Sequence, residues 1–433
     1  MYPKATIIKM SLLIKKGRVV DPANNLDEVA DILVENGRVS RVAKNISVST
    51  GKIIDATDKI IMPGIVDMHV HLREPGREDK ETIASGTAAA LKGGVTTVLA
   101  MPNTQPPVDC AENVKFVKGI IKQTAQANVF ICGAITKGRL GKKLTDIAKL
   151  KKEGALAISD DGSSVDDDEL MLKALKIAKQ EGLLVICHSE DKSLSLNGVV
   201  NLGLTSTRLG LRGISKESEY KRVKRDIELA EKTKCPLHIA HVSCGESVEL
   251  IASAKKKGIK VTAETAPHYF ALTEEAVLGY DTNMKMNPPL RSKDDVKEIK
   301  AGLKNGAIDA IASDHAPHTE NEKDIEFERA EFGVIGLETI LAVSITELLS
   351  TGFLDWVGLV KKLSLNPAKI LGIDKGTLTA GSDADLIIVS ADKEWRAEKQ
   401  GFLSKSKNSA FLGRNLKGVV EYTILGGEIV YKA

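Results

Sequence analysis

Aromatic residues make up only 4% of the 433-residue chain, with two tryptophans among them. A base-stacking nucleic-acid platform is therefore not expected. An excess of one charge is also missing. The 61 basic and 58 acidic side chains leave a formal charge of +3, which calls for neither a polyanion nor a membrane surface as partner. Basic runs at Lys221–Arg225 and Lys255–Lys257 lie in helix-like stretches and read as solvated helix faces. No apolar run approaches the roughly 18 residues of a membrane span. The apolar stretch Met10–Ile14 is too short for a secretory signal, and the first nine residues read as a tail. Five cysteines, an odd number without a Cys-x-x-Cys pair, argue against a disulfide framework or a zinc knuckle. They fit buried thiols in a reducing cytoplasm.

What is present is ordinary soluble composition, 42% hydrophobic and 27% charged. A chain this long buries about three quarters of its extended surface without help from a staple. Both ends read as short strands broken by turns. Ser11–Ile14, Arg18–Val20, Asp31–Glu35 and Arg38–Val42 lie at one end; Asp385–Val389 and Val419–Leu425, paired with Glu428–Val430 across Gly426-Gly427, lie at the other. The two ends are expected to meet in one small sheet domain. Between them apolar strands alternate with helical patterns: Ile65–His71, Val95–Met101, Val129–Ala134, Leu156–Asp160, Leu183–Ser189, Leu237–Ser243, Lys260–Thr265 and Ile308–Asp314, with helices such as Asp168–Gln180 and Glu246–Lys257. The count fits a (β/α)8 TIM-like barrel. No Gly-x-Gly-x-x-Gly follows the first strand, which disfavours an open doubly wound sheet.

The chain has eight histidines, and their placement is the main functional signal. His69 and His71 end the first strand, and a spacing of two puts both imidazoles on one face. Asp160 and Asp161 end the fourth strand, His188 the fifth, His241 the sixth, and Asp314 the eighth, followed by His315 and His318. In a barrel all these ends open onto one rim, where active sites sit. His238 lies inside its apolar run and reads as core. Imidazoles with carboxylates suit Zn²⁺ best and Mn²⁺, Co²⁺ or Fe²⁺ less well. Two cations about 3.5–4 Å apart can share a water and lower its pKa towards neutrality. Asp314 is placed both to ligate and to carry the proton to a leaving nitrogen. Hydrolysis of an amide-like bond is the reaction class expected.

The run Asp67-Met-His-Val-His-Leu-Arg-Glu-Pro-Gly76 resembles the opening motif of dihydroorotases in the amidohydrolase superfamily. Met101-Pro-Asn-Thr104, Ser159-Asp-Asp-Gly162, Asn287-Pro-Pro-Leu-Arg291, Ser313-Asp-His-Ala-Pro-His318, Gly336-Leu-Glu-Thr339, Asn366-Pro-Ala368 and Gly381-Ser-Asp-Ala-Asp-Leu386 match further motifs in order and spacing. The resemblance runs from about residue 12 to the C-terminus. It implies a barrel over residues 63–375 and a small composite β-sandwich domain from residues 1–62 and 376–433. It implies reversible hydrolysis of (S)-dihydroorotate to N-carbamoyl-L-aspartate in pyrimidine synthesis, in a cytoplasmic homo-oligomer holding one or two Zn²⁺ ions, two being favoured. His69, His71 and Asp314 would hold one ion, His188 and His241 the other, and Asp161 both. Asp314 would be the acid and base. Arg73, Asn103 and His318 match groups that grip the substrate carboxylate, and His71, Asn287, Phe332 and Gly333 match further substrate contacts, through backbone more than ring for the last pair.

Two departures from the wider family stand out. Relatives bridged by a carboxylated lysine carry it near the fourth strand, but Leu156–Gly162 has no lysine, so the resemblance is to the aspartate-bridged (type I) class. Pro267-His268-Tyr269 replaces a common Pro-His-His run; His268 reads as structural and Tyr269 has no role assigned. Leu194–Ser215 lacks periodicity and reads as a mobile segment near the pocket. The alternatives are another cyclic amidase, such as an allantoinase or hydantoinase, and a non-catalytic partner of aspartate transcarbamoylase. Arg73 argues against the first, because an uncharged ring needs no cationic clamp. The intact ligand set argues against the second, although catalysis within a transcarbamoylase complex remains compatible with it. Ring closure consumes a proton, so dihydroorotate synthesis is expected to be favoured at acid pH.

Overall fold

The structure is a computed structural model and describes residues 11–48 and 51–433. The nine-residue tail read from the sequence lies outside the described residues. Eight parallel strands follow one another round a barrel: Ile65–Val70, Val95–Ala100, Asn128–Gly133, Ala155–Ile158, Leu184–Cys187, Leu237–Ile239, Val261–Thr265 and Ala310–Ile311. Each pairs with its sequence neighbour, and a parallel bridge from Val70 to His315 joins the last strand's end to the first. All eight strand candidates of the barrel therefore occur in their expected order.

Strand alternation sorts the side chains into two layers. Val98, Ile131, Val185, Ile239 and Ile311 pack in the large cluster under the helices. Their immediate neighbours Leu99, Cys132, Ile186, Ala240 and Ala312 form the inner cluster with Val66 and Met68. The same parity, continued past the strand ends, carries His188 and Asp314 inward. Helix boundaries follow local chemistry. The helix Asp168–Glu181 opens where Asp167 accepts from the Leu170 N–H and closes at Gly182, whose φ of 65° suits glycine.

The chain ends build one eight-stranded sheet. Ile60–Pro63 pairs in parallel with Leu12–Asp21 on one side and antiparallel with Leu386–Arg396 on the other. Asn415–Leu425 and Glu428–Lys432 extend it as the expected hairpin. Ile14, Val19, Ile32, Ile61, Leu386, Ile388 and Ile424 form its apolar core. The five cysteines are unpaired, four of them buried. Among the described residues no helix is long and apolar enough to cross a membrane.

Two sequence readings need correction. In the helix Glu217–Thr233, Lys221 and Lys224 are solvated, but Arg222 is buried and Arg225 half-buried. Arg222 lies 2.7 Å from Asp166 and 3.6 Å from Asp191, and Arg225 3.0 Å from Asp226. These carboxylates let the cations enter the packing. The stretch Leu194–Ser215 is also more regular than its composition suggests. It contains the helix Leu204–Leu209 and a two-stranded parallel ribbon, Val200–Asn201 with Gly213–Ile214. The buried Arg291 donates to Asn201 Oδ1 at 2.8 Å and to the Ile214 carbonyl at 3.1 Å.

Candidate active site

The barrel rim gathers two sets of potential ligands that share one carboxylate. His69, His71 and Asp161 form one set, and Asp161, His188 and His241 the other, each with its ligand atoms within 4.8 Å of one another. Asp161 Oδ1 lies 3.2 Å from His69 Nε2 and 3.5 Å from His241 Nε2, and Oδ2 lies 3.5 Å from His71 Nε2. Asp314 Oδ1 lies 3.3 Å from His71 Nε2 and 3.7 Å from His69 Nε2. Two of these residues leave the pleat to arrive there. His241 has φ 35° and Asp314 φ 48°, strained conformations of a kind that cluster at functional sites.

The outer nitrogens of three imidazoles are committed as donors. His69 Nδ1 donates to Glu264 Oε1 at 2.8 Å, His71 Nδ1 to Asn103 Oδ1 at 2.8 Å, and His188 Nε2 to Glu190 Oε2 at 3.2 Å. Their inner nitrogens then turn lone pairs towards Asp161, Asp314 and one another. Acceptors facing acceptors in a buried space require positive charge between them. Consistently, His69 Nε2 and Asp161 Oδ1 are buried with no hydrogen-bond partner. Without a cation the imidazoles diverge: burial lowers the His71 pKa, whereas His188 and His69 are raised, against burial, by their carboxylate partners. Burial opposes charge on His69, yet Asp161 and Glu264 hold its pKa well above the ordinary value. Burial likewise works against the Asp314 carboxylate, but the hydrogen bond to His71 and the charges of His69, His241 and His71 keep it well below the carboxylate range. The donor set thus fits cations.

Asp160 and Asp161 are separated by the backbone. Asp160 Oδ1 accepts from the N–H groups of Ile135 and Thr136 at 2.9 and 3.0 Å, and Oδ2 from the Thr136 hydroxyl, so it faces the loop after the third strand. His238 is buried, its Nδ1 2.8 Å from Thr262 Oγ1 and its Nε2 3.3 Å from Glu264. It supports the carboxylate that orients His69.

The other residues singled out lie around this centre. Arg73, at φ 62°, donates through Nε to the Pro317 carbonyl at 3.1 Å. His318 is buried; Lys80 Nζ donates to its Nδ1 at 3.0 Å. Lysine can only donate, so the ring proton sits on Nε2, which donates to the Phe332 carbonyl at 2.8 Å. Burial first, then Arg73, Lys80 and Lys323, keep the ring neutral by lowering its pKa. Asn287 donates to Glu190 at 3.2 Å. Gly333 has φ 121°, and a Cβ there would stand 2.6 Å from Ala316 Cβ, so no larger residue fits. Phe332 contributes its carbonyl, while its ring lies under Lys285 Nζ, 4.5 Å from the centroid. His268 is buried with Nε2 unpartnered. Tyr269 now has a role: its hydroxyl donates to the Pro288 carbonyl at 2.7 Å and fixes the loop carrying Asn287.

Sequence reasoning missed Glu264, Glu190 and Lys80. Glu264 left a signal, a lone carboxylate in the apolar strand Val261–Thr265. Glu190 left one too, standing two residues after the strand-end His188, whereas Lys80 meets His318, 238 residues away, and left none.

The fold is that of the cyclic amide hydrolases, hydantoinases among them. L-hydantoinase (dihydropyrimidinase) from Arthrobacter aurescens matches with a TM-score of 0.89 at 27% identity, over 97% of this chain and 96% of that one. Within that class the chain belongs to the dihydroorotase family. The Dihydro-orotase-like family model matches residues 58–247. A dihydroorotase of Elusimicrobium minutum is 54% identical over 97% of each chain, and one of Geobacter metallireducens is 51% identical over 98% of this chain and all of that one.

Proposed function

We propose that this enzyme interconverts dihydroorotate and N-carbamoyl-L-aspartate in the cytoplasm, with zinc at both ligand sets and Asp161 shared between them. The observation that carries the reading is the convergence of imidazole lone pairs and carboxylates beside an arginine and a neutral histidine. His69, His71, Asp161 and Asp314 would hold one ion, and Asp161, His188 and His241 the other. Cations there lower the pKa of water and polarise a carbonyl.

The protein's own groups do the rest. Arg73 offers its remaining guanidinium N–H groups to the substrate carboxylate. Asn103 keeps the His71 proton on Nδ1, as Glu264 does for His69. Asp314, ionised at the start, takes the proton of the attacking water as its oxygen bonds to the ring carbonyl carbon. It then delivers that proton to the ring nitrogen as the carbon–nitrogen bond breaks. The carbonyl carbon becomes a carboxylate as the second proton of the water passes to solvent, and the nitrogen becomes the NH₂ of the carbamoyl group. The same contacts serve the reverse reaction.

Metal analysis of the purified chain, with assays on dihydroorotate, hydantoin and allantoin before and after chelation, tests the proposal. Activity confined to dihydroorotate and lost on chelation is expected; preference for an uncharged ring would replace the substrate assignment. Repeating the assay with aspartate transcarbamoylase present shows whether the isolated chain is sufficient. Because hydrolysis releases one proton, the equilibrium ratio of carbamoyl aspartate to dihydroorotate should rise about tenfold per pH unit, as chromatography of equilibrated mixtures at pH 6, 7 and 8 would show. A pH-independent ratio would exclude this reaction.

Arg73→Ala should lower kcat/KM for dihydroorotate about 100-fold, the usual loss when one side of a desolvated charged hydrogen bond is truncated. Metal content should stay at the wild-type level, because Arg73 belongs to neither ligand set. Unchanged kinetics would remove Arg73 from the substrate site.

A further inference from the structure

Every potential ligand named above lies in the barrel, yet the wall that faces the substrate carboxylate is tied to the C-terminal part of the chain. Asn408 is buried and makes side-chain contacts with two rim loops at once. Its Oδ1 accepts from the His318 N–H at 3.2 Å, and its Nδ2 donates to the carbonyls of Ala316 at 3.2 Å and Gly333 at 3.1 Å. Its own carbonyl accepts from Ile335 N–H at 3.1 Å. The loop bearing His318 and the loop bearing Phe332 and Gly333 are thereby held in one register. That register places the Phe332 carbonyl within reach of His318 Nε2. Both Asn408 and His318 border a cavity of about 720 Å³ whose lining includes none of the potential ligands.

The segment that carries Asn408 is itself pinned. Leu403 and Ser404 donate backbone N–H groups to the Glu338 carboxylate at 2.9 and 3.0 Å. Lys405 N–H donates to Glu81 Oε1 at 3.0 Å, the Ser404 hydroxyl donates to Glu81 Oε2, and the Ser406 hydroxyl donates to the Lys80 carbonyl at 2.7 Å. These contacts explain Glu338 of the Gly336-Leu-Glu-Thr339 motif. They also seat Asn408 beside Lys80, whose ammonium sets the His318 tautomer.

We propose that Asn408 is a positioning residue for substrate: it locks the two loops that form the carboxylate-binding wall, acting through His318 and Gly333 and not on the metal centre. This rests on the dihydroorotate reading. A misplaced wall weakens binding of the charged group more than it slows chemistry at a ring carbonyl held by other residues.

Asn408→Ala and Asn408→Asp test it, the second keeping side-chain volume and the acceptor for His318 N–H while removing both donors. Each should raise KM for dihydroorotate about tenfold or more, leave kcat within about threefold, and leave bound zinc unchanged. Should the alanine variant not fold, the aspartate variant decides. A wild-type KM in a folded variant overturns the proposal, as does a fall in kcat or metal content with KM unchanged, which would mark a purely structural role. Wild-type protein inactive on dihydroorotate would instead overturn the functional reading and this inference with it; active wild type with unaffected variants overturns the inference alone.

Discussion

Asn in place of Asp314 should lower kcat for dihydroorotate in both directions by at least about 10³-fold, near the upper range for loss of a positioned acid and base. The substitution is chosen because it leaves the backbone alone. Asp314 sits at φ 48°, a region that asparagine tolerates as well as aspartate does. The amide keeps the volume and an oxygen to face His71 Nε2, now at 3.3 Å. What it loses is the negative charge and the ability to take and return a proton. A carboxylate facing a bound cation stays ionised, so turnover begins with a base in place. Steady-state kinetics and metal analysis on the same preparation check this. Activity within tenfold of wild type would assign the proton transfer to another group.

The barrel was legible because its strands are short apolar runs whose ends carry polar residues that a core does not tolerate singly. His188 and Asp314 continue the inward parity of Ile186 and Ala312, so sequence alone points them at the rim. Choosing between Asp160 and Asp161 lay beyond local pattern, because the answer depends on N–H groups of Ile135 and Thr136, more than twenty residues earlier. Arg222 was misread for a similar reason. A helix carrying Lys221 and Lys224 looks solvated until Asp166 and Asp191 are brought beside it. Asn408 is the extreme case: a polar residue in a Ser- and Lys-rich stretch, 90 residues from its partner His318. Periodicity reports which face a side chain is on, not which distant loop it will fasten.

Asp161→Ala should abolish measurable hydrolysis and remove most bound metal from both sites, whereas His188→Ala should deplete one site alone. The contrast follows from geometry. Asp161 belongs to both ligand sets, and His188 to one. With Asp161 gone, the inner nitrogens of four imidazoles face one another with only Asp314 as counter-charge, and a buried dication among neutral donors lacks compensation. The expected fall in kcat/KM is at least about 10³-fold, since a Lewis acid at the carbonyl contributes several kcal/mol. Melting curves separate metal loss from misfolding. Ligands that bind only the folded chain raise its apparent stability, so added Zn²⁺ should raise the melting temperature of metal-stripped wild type, raise that of His188→Ala less, and leave Asp161→Ala unmoved. A folded Asp161→Ala protein that still binds two equivalents of zinc would show that the shared carboxylate is not a ligand, and the imidazole pairs would then have to hold their ions independently.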